Sequence, residues 1–238
     1  MATRERGVPS TVVRKREPRP ARGGIAPWLP VGLLACIVAG LAIAEGASEP
    51  HGLLPLDRRT FRFVIAHRTD AEVSVARALS HLGDPVALAV LALVAGVWLW
   101  MSRPILDAAV PALALVAASV TEAIAKQIIG RPRPPVAYHL VHESDASFPS
   151  GHTTGSAALF MAFALVLTPE VRSRLARRSL VVGFAVLAAA VGASRLLLGV
   201  HWLTDVVAGW CLGTAWATGI VLLVAHARAR ASVGPGGG

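Results

Sequence analysis

The sequence predicts an all-α membrane protein, a polytopic helical bundle with about six transmembrane helices. Of its 238 residues, 54% are hydrophobic and only 16% are charged, and the mean hydropathy is +0.59. Soluble domains usually carry about 25% charged residues, so the composition points away from that class. The apolar residues also form long runs without a charge, of the length that a helix needs to cross a bilayer.

Six apolar segments are predicted to span the membrane, and together they form one domain over residues 25–226. The basic tail (1–24) and the C-terminal tail (227–238) are both expected to be disordered. The first segment could instead be a cleaved signal peptide, but its apolar run is longer than a usual signal core, which favours an uncleaved span. The segments are Ile25–Ala44, Pro85–Ser102, Ile105–Ile129, Gly151–Leu167, Leu180–Leu198 and Thr204–Ala225.

Between the first two spans, Leu56–Leu82 has apolar residues at helical spacing with several arginines among them. This pattern is typical of an amphipathic helix that lies at the membrane interface. An interfacial basic helix could also gather anionic lipids.

The net charge of +9 comes mostly from the tails and short loops. Basic flanks on a membrane protein usually determine its orientation, and no basic stripe interleaved with aromatic residues indicates nucleic-acid binding. Four arginines within 172–178 predict that this loop is cytoplasmic, as are both termini. The loops at 130–150 and 194–203 are then predicted to lie together on the extracytoplasmic face of the plasma membrane.

Cys36 and Cys211 both lie in apolar runs without the spacing of a zinc or redox motif. No carboxylate cluster suited to Mg²⁺ is visible in the sequence either. The sequence therefore predicts no metal and no cofactor.

Three short segments at the ends of predicted spans hold most of the polar residues that membrane packing does not explain. In the third of them, His201 and Asp205 are four residues apart and share one face of a helix. A carboxylate beside an imidazole fixes its tautomer and leaves the other ring nitrogen free as a nucleophile. Taken alone, the pair is better explained by a helix-start histidine with a capping aspartate.

The second segment, Phe148-Pro149-Ser150-Gly151-His152, stands at a predicted helix start. Free backbone N–H groups and the helix dipole make such a place an anion site, and Gly151 allows close approach. Ser150 can donate a hydroxyl proton, and His152, if protonated, can give a proton to a leaving oxygen. An ordinary serine N-cap is the simpler alternative.

The first segment supplies Lys126 and Arg133, cations of the kind that stabilise a phosphoryl group in transfer. Glu122, one turn before Lys126, could hold the ammonium in place. Arg131 is interpreted as part of a proline-rich loop without a role in the site, and the loop at 136–147 as a solvated loop that could influence head-group choice.

The three segments together resemble the type-2 phosphatidic acid phosphatase family. They match its pattern Lys-x6-Arg-Pro, Pro-Ser-Gly-His and Ser-Arg-x5-His-x3-Asp without a departure over residues 126–205. The resemblance implies a metal-independent lipid phosphatase that works through a phosphohistidine and is inhibited by vanadate. It implies that His201 attacks phosphorus, that Asp205 orients it and that His152 protonates the leaving group. The implied phosphate-binding residues are Lys126, Arg133, Ser150, Gly151 and Arg195.

Several alternatives remain open within this resemblance. Vanadium-dependent haloperoxidases share the motifs but are soluble, whereas a lipid phosphotransferase could use the same site. A lipid-phosphate binder or transporter would keep the cations without needing the His201–Asp205 pair. The expected substrate is a membrane lipid phosphate such as phosphatidic acid, phosphatidylglycerol phosphate or a polyprenyl (undecaprenyl-type) diphosphate.

Overall fold

The computed structural model describes residues 28–48 and 54–232, and in these ranges every regular element is helical. The prediction of an all-α membrane bundle is confirmed. The basic tail (1–24) and the start of the first predicted span lie outside the described residues. Eight α-helices follow one another: α1 Trp28–Ser48, α2 Leu54–His67, α3 Asp70–Leu82, α4 Pro85–Trp100, α5 Ile105–Ile129, α6 Gly151–Leu167, α7 Arg174–Leu197 and α8 Leu203–Ser232.

Within the described residues, five helices are long and apolar enough to cross a membrane. A sixth span results if α3 and α4 are counted together, although they are bent by 52° at their junction. α4 alone has only 16 residues, fewer than a bilayer crossing usually needs. Large apolar side chains on α1, α4, α5 and α7 face outward, as expected for helices solvated by lipid tails rather than water.

The segment predicted as one interfacial helix over 56–82 is instead two helices. Thr69 caps α3: its hydroxyl accepts a hydrogen bond from the backbone of Glu72 at 3.3 Å, and the Glu72 carboxylate accepts one from the Thr69 backbone at 2.8 Å. This reciprocal capping box begins α3 at Asp70 and separates it from α2, which ends at His67. The Thr-x-x-Glu spacing was present in the sequence and is the signal that the single-helix prediction overlooked.

The last two helices are longer than predicted. α7 begins at Arg174, capped by the Ser173 hydroxyl, so three of the four arginines (Arg174, Arg177 and Arg178) lie in the first turns of a helix and not in a loop. α8 continues to Ser232 and thus into the segment predicted as a disordered tail from residue 227, whereas residues 233–238 lie outside the described part. α5 and α6 have the predicted bounds.

α6 lies at the centre of the bundle. About two thirds (67%) of its span is buried, against 6% for α1, and it packs on α5, α7 and α8. Small residues allow the closest crossing: a Cβ atom on Gly213 of α8 would lie 2.3 Å from the Thr154 carbonyl oxygen of α6. Glycine at such a crossing lets two backbones approach, as is common between membrane helices. The crossing holds the starts of α6 and α8 side by side.

Candidate active site

The three polar segments converge at one end of the bundle. The first follows the end of α5, where Gly130 adopts a left-handed conformation (φ 58°) that terminates the helix. The second begins α6 after a cis Phe148–Pro149 bond, and the third joins α7 to α8. Backbone hydrogen bonds tie them together: Ser147 donates to the Arg131 carbonyl at 2.8 Å, and Ser150 donates to the Asp205 carbonyl at 3.1 Å.

His201 and Asp205 are both buried and form the predicted pair. His201 Nδ1 lies 3.4 Å from Asp205 Oδ2, at the long end of a hydrogen bond. The other ring nitrogen, Nε2, lies 3.1 Å from Arg133 Nη1. Because a guanidinium only donates hydrogen bonds, Nε2 is the acceptor and Nδ1 carries the proton toward Asp205. This tautomer leaves the Nε2 lone pair pointing to the cationic side of the site.

Burial lowers the pKa of His201 below its ordinary value, and the hydrogen bond and charge of Asp205 only partly oppose this shift. The cations Arg133 and Arg195 lower the same pKa further. The imidazole is therefore neutral at physiological pH, which is the form that can act as a nucleophile.

The start of α6 presents Ser150, Gly151 and His152. Ser150 occupies the N-cap position, but its hydroxyl caps no backbone N–H and instead accepts a hydrogen bond from Thr153 Oγ1 at 2.9 Å. A Cβ on Gly151 would lie 2.9 Å from the Glu122 carboxylate, so a side chain there would crowd the site. The His152 ring packs near Gly83, at the junction of α3 and α4. The simple N-cap alternative for Ser150 is therefore not what the structure has.

Three of the predicted phosphate-binding side chains are cations held at this same end. Lys126 on α5 pairs with Glu122 at 2.8 Å, as expected from their spacing. Arg133 also donates to the Val200 carbonyl at 2.9 Å, which fixes it beside His201. Arg195 is 1% exposed and donates to the Ser80 hydroxyl. The cations thus reach the site from α5, α7 and the loop after α5.

Two carboxylates of the 136–147 loop occupy these cations. Asp145 pairs with Lys126 and, at 2.5 Å, with Arg133, while Glu143 pairs with Arg195 and, at 3.3 Å, with Arg133. The Asp145 side chain is 51% exposed. Its burial opposes ionisation, but the hydrogen bonds and charges of Lys126 and Arg133 outweigh burial and lower the pKa of Asp145 to about 2. The expectation of a merely solvated loop is wrong for these two side chains, because both pair with cations of the predicted site.

Arg131 and Asp57 were not predicted to contribute, yet both are buried behind the His201–Asp205 pair. Arg131 donates to Asp205 Oδ1 at 2.5 Å and to Asp57 Oδ2 at 2.6 Å. Asp57 also accepts from the hydroxyl and the backbone N–H of Thr204, at 2.6 Å and 3.0 Å. Arg131 therefore links α2 to Asp205, which corrects its interpretation as a loop residue without a role. A charged residue at the start of α2 gave no sequence signal for this contact, because its partner Arg131 is 74 positions away in the chain.

A comparison with known protein families covers the same three polar segments. A family model described as the PAP2 superfamily matches residues 107–229, about half of the chain, and this range includes all three segments. The chain belongs to the PAP2 superfamily. The resemblance drawn from the motifs is thereby confirmed.

Two similar proteins are lipid phosphatases by name. Phosphatidylglycerophosphatase B of Bacillus subtilis (strain 168) is 35% identical over 136 residues, which are 57% of this chain and 66% of that protein. Lipid A 1-phosphatase of Rhizobium johnstonii is 41% identical over 75 residues, 32% of this chain and 26% of that protein. The chain thus spans less than two thirds of the length of these relatives.

A solved structure is similar to the chain over a larger share of both lengths. The crystal structure of a transmembrane PAP2 type phosphatidylglycerolphosphate phosphatase from Bacillus subtilis has a TM-score of 0.71 and 27% identity. The match covers 85% of this chain and 97% of that one. Together with its apolar helices, the match identifies the chain as a multi-pass membrane protein of the PAP2 fold.

Proposed function

We propose that this protein is a metal-independent membrane lipid phosphatase that works through a phosphohistidine at His201. The observation that carries the proposal is the buried His201, whose Nε2 faces Arg133 while Nδ1 faces Asp205. A non-enzymatic binder would need the cations but not a histidine held in a nucleophilic tautomer by a buried carboxylate.

In the first half-reaction, His201 Nε2 attacks phosphorus and the bond from phosphorus to the leaving lipid oxygen breaks. His152 gives its proton to that oxygen, which leaves as an alcohol or, for a diphosphate, as a lipid monophosphate. Asp205 stabilises the positive charge on the His201 ring as the new bond forms. Lys126, Arg133 and Arg195, with the Ser150 hydroxyl and the backbone at Gly151, hold the equatorial oxygens.

In the second half-reaction, water attacks phosphorus and the bond from phosphorus to Nε2 breaks. The proton of this water passes to His152, which returns to its starting state, and inorganic phosphate leaves. Glu143 and Asp145 must release the cations before a lipid phosphate can bind, because both sets of oxygens use the same donors.

The substrate is a lipid whose phosphate reaches one end of the bundle while its tails stay in the bilayer. Phosphatidylglycerol phosphate, a polyprenyl diphosphate and phosphatidic acid all have this form. The similarity to a protein named phosphatidylglycerophosphatase B supports the first of them.

The orientation that we propose puts the site on the extracytoplasmic face and both termini in the cytoplasm. Arginines at the start of α7, at the opposite end of that helix from Arg195, support it through the positive-inside rule. A membrane-impermeant thiol reagent tests it in variants lacking Cys36 and Cys211. A cysteine at Val136 should react in intact cells and one at Arg172 only after permeabilisation, whereas the reverse result would invert the orientation.

Activity is tested by phosphate release from the three lipids by detergent-purified protein in excess EDTA. We expect His201→Ala to reduce release at least about a thousandfold. His226→Ala is the matched control, because His226 is exposed near the far end of α8. Full activity in His201→Ala, or loss of wild-type activity in EDTA that Mg²⁺ restores, would overturn the proposal.

A further inference from the structure

A cavity of about 1050 Å³ opens between α2 and the loop that follows α5. Arg133, which contacts His201, contributes to its wall, so the cavity adjoins the proposed transfer site. Its volume is that of a pocket for a substantial organic ligand. A lipid whose phosphate lies at Arg133 therefore has room for further groups beside it.

Two arginines on α2 line the same cavity. Arg58 and Arg62 are one helical turn apart and exposed, and neither has an acidic partner within 4.0 Å among the described residues. The Arg62 side chain makes a long hydrogen bond of 3.4 Å from Nε to the Arg58 carbonyl. This contrasts with Arg131, Arg133 and Arg195, which are all paired with carboxylates. Two positive charges at a cavity wall, without an acidic partner in the described part of the chain, favour an anionic ligand.

The rest of the wall is apolar and aromatic. Phe61 lies between the two arginines in sequence, and its ring is 5.7 Å from that of Tyr138 and 5.5 Å from that of Trp202. Ile65 and Ile129 extend the apolar surface. Such a wall suits the glycerol and upper acyl parts of a lipid, while the arginines suit a negatively charged group between them.

We propose that Arg58 and Arg62 form a second anion site, which binds the phosphodiester of a lipid whose terminal phosphate lies at Arg133. The inference rests on the proposed function, which places the terminal phosphate. It assigns the substrate to lipids that carry two phosphate groups: a terminal phosphomonoester and, closer to the acyl chains, a phosphodiester. Phosphatidylglycerol phosphate has both groups, whereas phosphatidic acid lacks the second. An arginine pair can bind a phosphate through several charge-assisted hydrogen bonds.

Binding in a catalytically silent background tests this site separately from hydrolysis. The dissociation constants of phosphatidylglycerol phosphate and phosphatidic acid are measured for the His201→Ala protein in nanodiscs of neutral lipid. We expect the added substitutions Arg58→Gln and Arg62→Gln to weaken binding of phosphatidylglycerol phosphate about tenfold and that of phosphatidic acid less than about twofold, the loss of about one charge-assisted contact.

Arg59→Gln is the matched control, because Arg59 lies on the same helix, is exposed and does not line the cavity. It should leave both dissociation constants unchanged. Equal weakening for both lipids would mean that the arginines only attract anionic lipid head groups, and no change for either would mean that they bind nothing; both results overturn the second site. Hydrolysis is not measured here, so an inactive wild type would refute the proposed function without deciding this one.

Discussion

Asp57, Arg131 and Asp205 form a buried row of alternating charges that ends at His201. Asp57 and Asp205 are fully buried, and Arg131 is 4% exposed. Removing one partner from such an arrangement leaves an uncompensated charge and typically costs about 3–5 kcal/mol. The row fixes the carboxylate that in turn fixes the His201 tautomer, so Asp57 is a positioning residue at a distance from the reacting atoms.

Replacing Asp57 with asparagine should loosen Asp205 and reduce kcat about tenfold or more with a smaller change in KM, because the loss concerns orientation and not lipid binding. Asp205 raises the pKa of His201, so a loosened Asp205 should also move the acid limb of the pH profile to lower pH. Asp107→Asn is the control, since Asp107 pairs with Arg228 at 2.7 Å at the ends of α5 and α8 opposite the site. An acid limb that does not move in Asp57→Asn would assign Asp57 a structural role only.

The pH dependence of activity follows from the two histidines. The nucleophile must be neutral, and burial lowers the pKa of His201 below 6.5, so activity should persist below pH 6.5 and fall as pH drops through the lowered value. The proton donor must be protonated at the moment of transfer, a form that the negative charge of a bound lipid phosphate favours, so kcat should also fall on the alkaline side and its profile should be bell-shaped. His152→Gln should remove the alkaline limb of the residual activity. A wild-type rate that keeps rising with pH would exclude His152 as the acid.

At the residue scale, the sequence predicted the side chains that meet at the proposed site but not those that lie behind them. The residues of the motifs stand at fixed local spacings, which can be recognised in a single sequence. They are His201, Asp205, Lys126, Arg133 and Arg195. Asp57 and Arg131 act through contacts between distant segments, which no local pattern encodes. These two residues form a row with Asp205 only because helix packing places α2 against the start of α8.

The loop at 136–147 is the element that departs most from expectation. Its two carboxylates pair with cations from α5, from the loop that follows α5 and from α7. Side chains of this kind compete with any phosphate for the same donors, and a ligand must displace them at a cost in affinity. The two carboxylates of the loop thus raise the intrinsic affinity that an anion needs in order to occupy the site.

A double variant, Glu143→Gln with Asp145→Asn, should therefore bind free anions more tightly. We expect its inhibition constant for inorganic phosphate or vanadate to fall about tenfold, the effect of about 1.4 kcal/mol of removed competition. Glu170→Gln is a suitable control, because Glu170 pairs with Arg103 after the opposite end of α6. An inhibition constant that stays the same or rises would mean that the carboxylates hold the cations in place without competing.

The crossing of α6 and α8 makes a prediction about packing. Gly213→Ala would bring a methyl group to 2.3 Å from the Thr154 carbonyl, so the helices must separate. Overpacking of this kind costs about 1–3 kcal/mol, which should lower the Tm in detergent and reduce activity. At Gly219, also on α8, a Cβ meets nothing within 4 Å, so Gly219→Ala is the matched control. Equal Tm shifts in both variants would refute the close crossing as the cause.

The elements themselves were predictable to different degrees. The apolar runs gave α5 and α6 with the observed bounds, because charge or proline marks their ends. The start of α7 was missed, since arginines were interpreted as a loop although they are good helix formers behind a serine cap. Two short helices replaced one at Thr69, where capping outweighed the continuity of the apolar pattern.

At the scale of the whole molecule, a bundle of apolar helices carries one polar end. Its outward surface is apolar over most helices, and the buried charges concentrate where the ends of α5 and α7 meet the starts of α6 and α8. Ionisable groups within a membrane protein are costly and usually functional. The proposed chemistry thus lies where a lipid phosphate can reach it without leaving the bilayer.

The most direct test of the central claim is to trap the phosphorylated enzyme. Purified protein is mixed briefly with a lipid labelled on its terminal phosphate, denatured in alkali and assayed for label on the chain. We predict label that is lost on acid treatment, as a phosphorus–nitrogen bond requires, and that is absent from His201→Ala but present in His226→Ala. Acid-stable label, or labelling that persists in His201→Ala, would contradict the assignment of His201 as the nucleophile.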